Sequence, residues 1–125
     1  MRLLLDTQIM LWWLLDDGRL GPDIRARMAS SDCIISVASI WEVAIKHRLG
    51  KLPVAPTAFR DHSLAAGATI LPVQDEHVIE TAQLPLLHPD PIDRLLIAQT
   101  RVEGLMAVSS DRHWPGYEVS LLRVG

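Results

Sequence analysis

The sequence has no long hydrophobic run, almost no cysteine and no excess of basic charge, and each absence excludes a class of protein. Its longest uninterrupted apolar stretch, residues 9–15, is far shorter than the roughly 18 to 20 residues that a helix needs to cross a bilayer. The chain reaches Asp6 without the apolar core or the cleavage site of a signal peptide. We therefore expect a cytoplasmic protein without a membrane span.

The single cysteine and the weak net charge narrow the interpretation further. Cys33 has no partner for an internal disulfide, and its apolar neighbours predict a buried thiol. The net charge of -3 lacks the basic excess of many nucleic-acid-binding proteins. Basic side chains gather at residues 46–48 with Lys51 and at residues 112–113, where a solvated surface is a better explanation than a phosphate track. Binding of nucleic acid must therefore be argued from local sites.

The composition that remains is that of an ordinary globular protein. Hydrophobic residues make up 49% of the 125 residues and charged residues 22%, which excludes a disordered chain. This length suits one core, and the sequence contains no repeat, low-complexity tract or linker. We expect a single domain over residues 1–125.

Short β-branched or apolar runs alternate with longer amphipathic segments along the whole chain. The predicted strands are residues 2–5, 33–36, 69–72 and 106–109, with a possible fifth at the edge, residues 118–122. The predicted helices are residues 7–15, 22–30, 38–49, 57–67, 75–84 and 91–103. This alternation predicts an α/β fold with a mostly parallel central sheet of four to five strands flanked by helices, in which ligands bind beyond the carboxyl ends of the strands.

Two aspartates follow predicted strands directly. Asp6 ends the first strand and Asp111 comes just after the fourth, so a parallel sheet would carry both carboxylates to the same edge. Each also has a structural explanation, because an aspartate at such a position can cap the next helix or begin a turn.

Two further acids lie on predicted helices. Glu42 interrupts an apolar helical stretch, where it either serves a site or forms an i,i+4 ion pair with Lys46. Asp93 is either a site residue or a first-turn carboxylate favoured by the helix dipole, while Asp90 and Pro91 are suited to starting its helix.

Four acids that meet at one edge repel each other unless protons or cations compensate them. Sites made of oxygen ligands suit Mg²⁺ or Mn²⁺, which keep several waters that a substrate phosphate can displace. Such ions activate water and stabilise the leaving oxygen in phosphodiester hydrolysis. The residues alone therefore indicate a metal-dependent nuclease.

Four segments together resemble the PIN-domain family, specifically the VapC-type toxins of bacterial type II toxin–antitoxin pairs. They are LLDT (residues 4–7), SVASIWEVAIK (residues 36–46), DPIDRLLIAQ (residues 90–99) and VSSD (residues 108–111). The match spans nearly the whole chain in the correct order. Close relatives often have His where this chain has Gln8 and Phe where it has Ile92, and neither departure removes a carboxylate.

The resemblance implies a Mg²⁺- or Mn²⁺-dependent endoribonuclease whose catalytic and metal-binding residues are Asp6, Glu42, Asp93 and, as a more variable fourth acid, Asp111. It also implies a homodimer inhibited by a cognate antitoxin. Asp90 competes with Asp111 for completing the cluster. The alternative is a catalytically inactive PIN-like module that binds RNA or a protein partner.

Other enzyme classes fit the sequence less well. A phosphoacceptor domain would have adjacent acids after its first strand, and a serine hydrolase would have a Gly-flanked Ser. The five histidines show no metal-binding spacing and are expected mostly at the surface. The segment of residues 9–15 is apolar all round, so it either crosses the core or needs cover from a partner.

Overall fold

Five short parallel strands form the central sheet in the computed structural model, which describes residues 1–125. They are β1 (Arg2–Leu5), β2 (Asp32–Ser36), β3 (Thr69–Leu71), β4 (Met106–Ser109) and β5 (Leu121–Arg123). The strand order is β3-β2-β1-β4-β5, and every neighbouring pair is parallel. The α/β fold with a parallel sheet is confirmed, and all five strands are present.

Six α-helices connect and cover these strands. They are α1 (Thr7–Leu14), α2 (Pro22–Ala29), α3 (Val37–Arg48), α4 (Pro56–Ala65), α5 (Asp75–Glu80) and α6 (Pro91–Val102). The Ser36 side chain caps α3 by accepting a hydrogen bond from the Ala38 N–H, and Asp90 caps α6 in the same way through Ile92. None of the helices is long and apolar enough to span a membrane.

The alternation of side chains along β1 divides the core between the two faces of the sheet. Leu3 and Leu5 pack on one face with Ile35 and Val108, and Leu4 packs on the other face with Ile97. All six side chains are fully buried, so apolar packing on both faces fixes the register of the central strands.

Two predicted elements differ clearly from the observed ones in their bounds, and one predicted burial differs as well. The fifth strand begins at Leu121 rather than residue 118. The helix predicted over residues 75–84 ends at Glu80 and continues as a 3₁₀ turn, Thr81–Gln83, because Leu84 is extended before a proline. Cys33 is half-buried rather than buried, and this burial raises the pKa of its thiol to about 11.

The apolar helix α1 finds most of its cover within the chain itself. Ile9, Met10 and Leu11 are buried in the core, and Trp12 is half-buried beneath the guanidinium of Arg19, which lies 4.8 Å from its ring. The prediction that this segment crosses the core is therefore correct for its first half, and a partner is not needed there.

The topology sets the position of a ligand site. The chain runs from the central strand β1 outward through β2 to β3 and then returns to the other side of β1 as β4. In open parallel sheets, a crevice forms at the carboxyl ends of the two strands where the direction of winding reverses. Here that crevice lies between β1 and β4.

Replacement of Leu5 by alanine tests the packing around β1. The side chain is fully buried, so Leu5→Ala should lower the free energy of unfolding by about 2–5 kcal/mol in urea denaturation. Leu86→Ala is the control, because Leu86 is 91% exposed and should change the stability by less than about 0.5 kcal/mol. Equal effects of the two substitutions would contradict this packing.

Candidate metal centre

One polar pocket of about 460 Å³ lies at the carboxyl edge of the sheet, at the β1–β4 crevice. All four acids predicted from the sequence line it: Asp6, Glu42, Asp93 and Asp111. They come from the end of β1, the middle of α3, the first turn of α6 and the loop after β4. The structure therefore brings together residues that are up to 105 positions apart in the chain (6 to 111).

Asp6 is a buried carboxylate held by a strand-end serine. It stands at the N-cap position of α1, and its Oδ2 accepts a hydrogen bond from Ser109 Oγ at 2.8 Å. Burial and the charges of Glu42 and Asp111 raise the pKa of Asp6 to about 6, against the opposing hydrogen bonds from Ser109 and from the backbone N–H of Gln8. Asp6 therefore contacts both the first turn of α1 and the end of β4.

Glu42 satisfies both of the interpretations that its sequence position allowed. Its Oε2 accepts a hydrogen bond from Lys46 Nζ at 2.7 Å, which is the i,i+4 ion pair. Its Oε1 is buried and has no hydrogen-bond partner, and the whole residue is only 8% exposed. A buried carboxylate oxygen without a partner is costly, so Glu42 brings an uncompensated polar atom to the wall of the pocket that it lines.

Asp93 is the most strongly perturbed acid of the pocket. Its pKa is raised to about 8, mainly by burial and in addition by the charges of Asp6, Asp90, Glu42 and Asp111. Its nearest polar contact is His88 Nε2, 3.4 Å from Asp93 Oδ2. A carboxylate with so few donors around it is poorly stabilised in the charged state.

Asp111 differs from the other acids because both of its oxygens are occupied, whereas Asp90 has one occupied oxygen. Asp90 Oδ1 accepts from the Ile92 N–H, so its helix-starting role is confirmed, although it also lines the pocket. Asp111 Oδ1 accepts from the backbone N–H of His113 and lies 3.1 Å from its Nδ1, while Oδ2 contacts His88 Nε2 at 3.0 Å. Burial opposes ionisation of Asp111, but these hydrogen bonds prevail and lower its pKa.

Charge compensation in the pocket is incomplete. Five carboxylates line it, those of Asp90 and the four predicted acids, with two lysines, Lys46 and Lys51, at their side. No three of the predicted acids bring their oxygens within 4.8 Å of one another. Mg²⁺ and Mn²⁺ use few protein carboxylates and keep several waters, so carboxylates spaced in this way are compatible with such an ion. The ligand atoms of His88, Asp111 and His113 do lie within 4.8 Å of one another. The pocket could hold a divalent metal ion.

Two of the five histidines, which we expect mostly at the surface, are buried. His77 packs under α6 with its Nε2 2.8 Å from Glu103, and His88 lines the acidic pocket. Their isolated positions in the sequence gave no signal of burial. The one available hint was that His88 lies two residues before Asp90 in the segment that starts α6.

The loop that carries His88 is anchored by a tyrosine and an arginine. The backbone N–H groups of Leu87 and His88 donate to the Tyr117 hydroxyl, at 3.2 and 2.7 Å. Arg94 donates to the backbone carbonyls of Pro85 and Thr81 at 2.8 and 3.0 Å. These long-range contacts fix the segment that enters the pocket beside Asp93.

The basic residues near the pocket are exposed, as predicted. Lys46 and Lys51 are exposed like Arg48 and Arg112, and in addition they line the open side of the pocket. The hydrogen bond to Glu42 raises the pKa of Lys46 and keeps it charged.

Thr7 Oγ1 donates a hydrogen bond to Ser39 Oγ at 2.8 Å, which is a packing contact between α1 and α3.

Comparison with known families identifies the fold. The family model described as "PIN domain" matches residues 3–118. The chain belongs to the PIN-domain family. No curated protein sequence matches this PIN domain.

Solved structures share the fold of this PIN domain at low sequence identity. VapBC2 from Rickettsia felis, solved with a DNA fragment from its promoter, has 14% identity and a TM-score of 0.78, with 100% of both chains covered. DNA-bound VapBC from Salmonella typhimurium has 16% identity and a TM-score of 0.71, with 98% of both chains covered. A toxin–antitoxin complex from Klebsiella pneumoniae has 13% identity and a TM-score of 0.66, covering 95% of this chain and 94% of that one.

The raised pKa values predict how the stability of the metal-free PIN domain depends on pH. Folded Asp6 and Asp93 retain protons up to about pH 6 and about pH 8, whereas unfolded aspartate releases its proton near pH 3.8. Their stabilising contribution is complete below the unfolded pKa and is lost as pH rises through the folded values. In EDTA, urea unfolding should show a loss of a few kcal/mol from pH 5 to pH 9, at about 1.4 kcal/mol per pKa unit.

Asp93→Asn is the control for this pH dependence, because the amide replaces the titrating carboxyl by an uncharged group of the same shape. The variant should lose less stability over the same pH range than the wild type. A wild-type stability that stays constant or rises from pH 5 to pH 9, or an unchanged slope in the variant, would contradict the assignment.

Proposed function

We propose that this PIN domain is a Mg²⁺- or Mn²⁺-dependent endoribonuclease that acts as the VapC-type toxin of a toxin–antitoxin pair. Asp6, Glu42 and Asp93 would hold the metal, with Asp111 as an outer or fourth acid. The observation that carries the proposal is the buried, unpartnered Oε1 of Glu42 in a pocket where burial and repulsion raise the pKa of two aspartates. A divalent cation removes both costs at once.

The metal supplies the chemistry that the side chains lack. When bound, such an ion lowers the pKa of a coordinated water and neutralises charge that develops on the phosphate. The residues of the chain would bind and orient the ion: Ser109 holds the carboxylate of Asp6, and Lys46 holds one oxygen of Glu42 and leaves the other without a partner.

RNA is the proposed substrate because the pocket combines acids, which would hold the metal, with two positively charged lysines. Lys51 makes no ion pair, and Lys46 lies half-exposed beside Glu42, so both can contact phosphate oxygens of a bound strand. The net charge of -3 leaves this local pair as the main attraction for a polyanion.

Calorimetric titration with Mn²⁺ tests the metal site. The wild type should bind Mn²⁺, and Asp93→Asn should weaken binding by at least about tenfold, since even the loss of an outer partner has an effect of that size. Asp61→Asn is the control, because Asp61 is an exposed acid outside the pocket and should leave the affinity unchanged. The metal site is refuted if the wild type binds no Mn²⁺ or if both variants bind equally.

Sequencing of RNA ends after induction tests the activity. Cut sites should appear with wild type and Asp61→Asn and should fall by roughly a hundredfold or more in Asp6→Asn, because metal-dependent charge stabilisation is worth several kcal/mol. Metal binding without any cut specific to the wild type would favour the inactive binding module instead.

An antitoxin partner is proposed from the shared fold of the toxin–antitoxin complexes and from a second cleft. This apolar cleft of about 550 Å³ lies between α1 and α4 and is lined mainly by hydrophobic residues, including Leu14, Leu15 and Phe59. Leu11 lines both this cleft and the acidic pocket, so a segment bound in the cleft would border the metal site. An apolar segment of the antitoxin fits its chemistry.

A homodimer is proposed from the exposed side of α3. Val37, Trp41, Ile45 and the C-cap Leu49 recur every four residues and are 42%, 57%, 38% and 62% exposed. Such a stripe on one helical face is typical of an interface between subunits. The stripe is continuous over the whole helix that also carries Glu42.

The mass of the purified protein, measured by light scattering after size-exclusion chromatography, tests the dimer. The wild type should be dimeric and Trp41→Lys monomeric, because burial of a lysine charge in an apolar interface is unfavourable. Ile79→Lys, at a 67% exposed apolar position on α5, should remain dimeric. A monomeric wild type, or a dimer that Trp41→Lys leaves intact, would overturn this part of the proposal.

A further inference from the structure

The hydrogen bonds of His88 assign its ring proton. The backbone N–H of Asp90 donates to Nδ1 of His88 at 3.0 Å, so Nδ1 presents a lone pair. The other nitrogen, Nε2, therefore carries the proton in the neutral ring. The residue is 8% exposed, so this arrangement is held inside the protein rather than in solvent.

The protonated nitrogen faces two acids of the candidate metal centre. His88 Nε2 forms a hydrogen bond with Asp111 Oδ2 at 3.0 Å, and it lies 3.4 Å from Asp93 Oδ2, an ion-pair distance without a hydrogen bond. The same side chain thus connects the first turn of α6, where Asp90 and Asp93 lie, to the loop after β4.

We propose that His88 is a positioning residue, whose Nε2–H holds the Asp111 carboxylate by a hydrogen bond and lies beside the Asp93 carboxylate at the candidate metal centre. This inference rests on the proposed function, since it concerns the same metal centre. A neutral donor suits the task, because it stabilises the two carboxylates without adding a positive charge that would repel the cation. A lysine or arginine at this place would neutralise the acids and compete with the metal.

A role for His88 as a metal ligand is disfavoured by the same geometry. Ligand atoms of His88, Asp111 and His113 do lie within 4.8 Å of one another, and the two histidine rings are 4.6 Å apart. Coordination through Nε2 would require the proton to move to Nδ1, where it would face the N–H of Asp90. That exchange would break the hydrogen bond at the start of α6.

Two substitutions separate the two nitrogens of His88. In His88→Gln the side-chain amide N–H reaches the position of Nε2, which keeps the donor to the carboxylates and loses the acceptor for Asp90. In His88→Asn the side-chain oxygen reaches the position of Nδ1, which keeps the acceptor and loses the donor. A positioning role depends on the donor, whereas a purely structural role in the loop depends on the acceptor.

The affinity for Mn²⁺, measured by calorimetry, is the readout. His88→Asn should weaken Mn²⁺ binding by about 10- to 100-fold, the effect of losing an outer partner of a metal ligand, while His88→Gln should stay within about threefold of the wild type. The proposal is overturned if His88→Asn binds Mn²⁺ like the wild type, or if His88→Gln is the weaker of the two. Thermal unfolding in EDTA checks that both variants are folded.

His77 provides a matched control remote from the pocket. Its Nδ1 accepts the N–H of Gln74 at 3.0 Å, and its Nε2 contacts Glu103 at 2.8 Å, so its hydrogen bonds repeat those of His88. His77→Asn should lower the thermal stability and leave the Mn²⁺ affinity unchanged. A loss of affinity equal to that of His88→Asn would mean that destabilisation alone explains the effect, and it would overturn the proposal.

A ¹⁵N NMR spectrum of the metal-free wild type tests the proton assignment without any variant. Nε2 of His88 should be protonated and Nδ1 unprotonated, and the reverse pattern would overturn the proposal. If the wild type binds no Mn²⁺, the proposed function fails and the role of His88 fails with it. If the wild type and His88→Asn bind equally well, only the role of His88 fails.

Discussion

Mutual repulsion among buried carboxylates is the constraint on which the functional edge of this protein depends. Asp6 and Asp93 are removed from water and face other acids, so burial and neighbouring charges favour their protonated forms. The fold tolerates the arrangement because the remaining structure at that edge is rigid: strand ends, a capped helix and a tyrosine-anchored loop. We propose that a divalent ion turns this destabilising group into a binding site, and this would be the physical basis of the nuclease activity.

Local hydrogen bonds divide the acids into two kinds. Asp111 has both oxygens occupied by backbone and histidine donors, and it stays ionised more readily than an ordinary aspartate. Asp6 and Asp90 each have one oxygen that accepts a hydrogen bond. Glu42 keeps one oxygen without any partner. The acids with unoccupied oxygens are therefore suited to direct metal contact, and Asp111 is suited to completing the charge of the site through its histidine partners.

The order of the elements and the strand-end positions of Asp6 and Asp111 could be predicted from short-range patterns, whereas the full set of four acids followed from the resemblance to the PIN-domain family. Alternating apolar runs and helix caps fix the order of elements, and Asp6 and Asp111 are placed at one edge by parallel topology alone. His77 and His88 could not be predicted in the same way, because their burial depends on partners 22 to 26 residues away, such as Asp111 and Glu103. The PIN-domain match supports the fold, while the roles of the acids rest on their geometry.

The central claim is that the unpartnered carboxylate oxygens of this pocket hold a divalent metal. Anomalous diffraction from crystals soaked in Mn²⁺ tests it most directly, because the manganese signal locates the ion independently of activity. We expect an anomalous manganese peak inside the pocket, in contact with Glu42 Oε1 and an oxygen of Asp93. A pocket without a peak, or a peak bound instead by the nitrogens of His88 and His113, would contradict it.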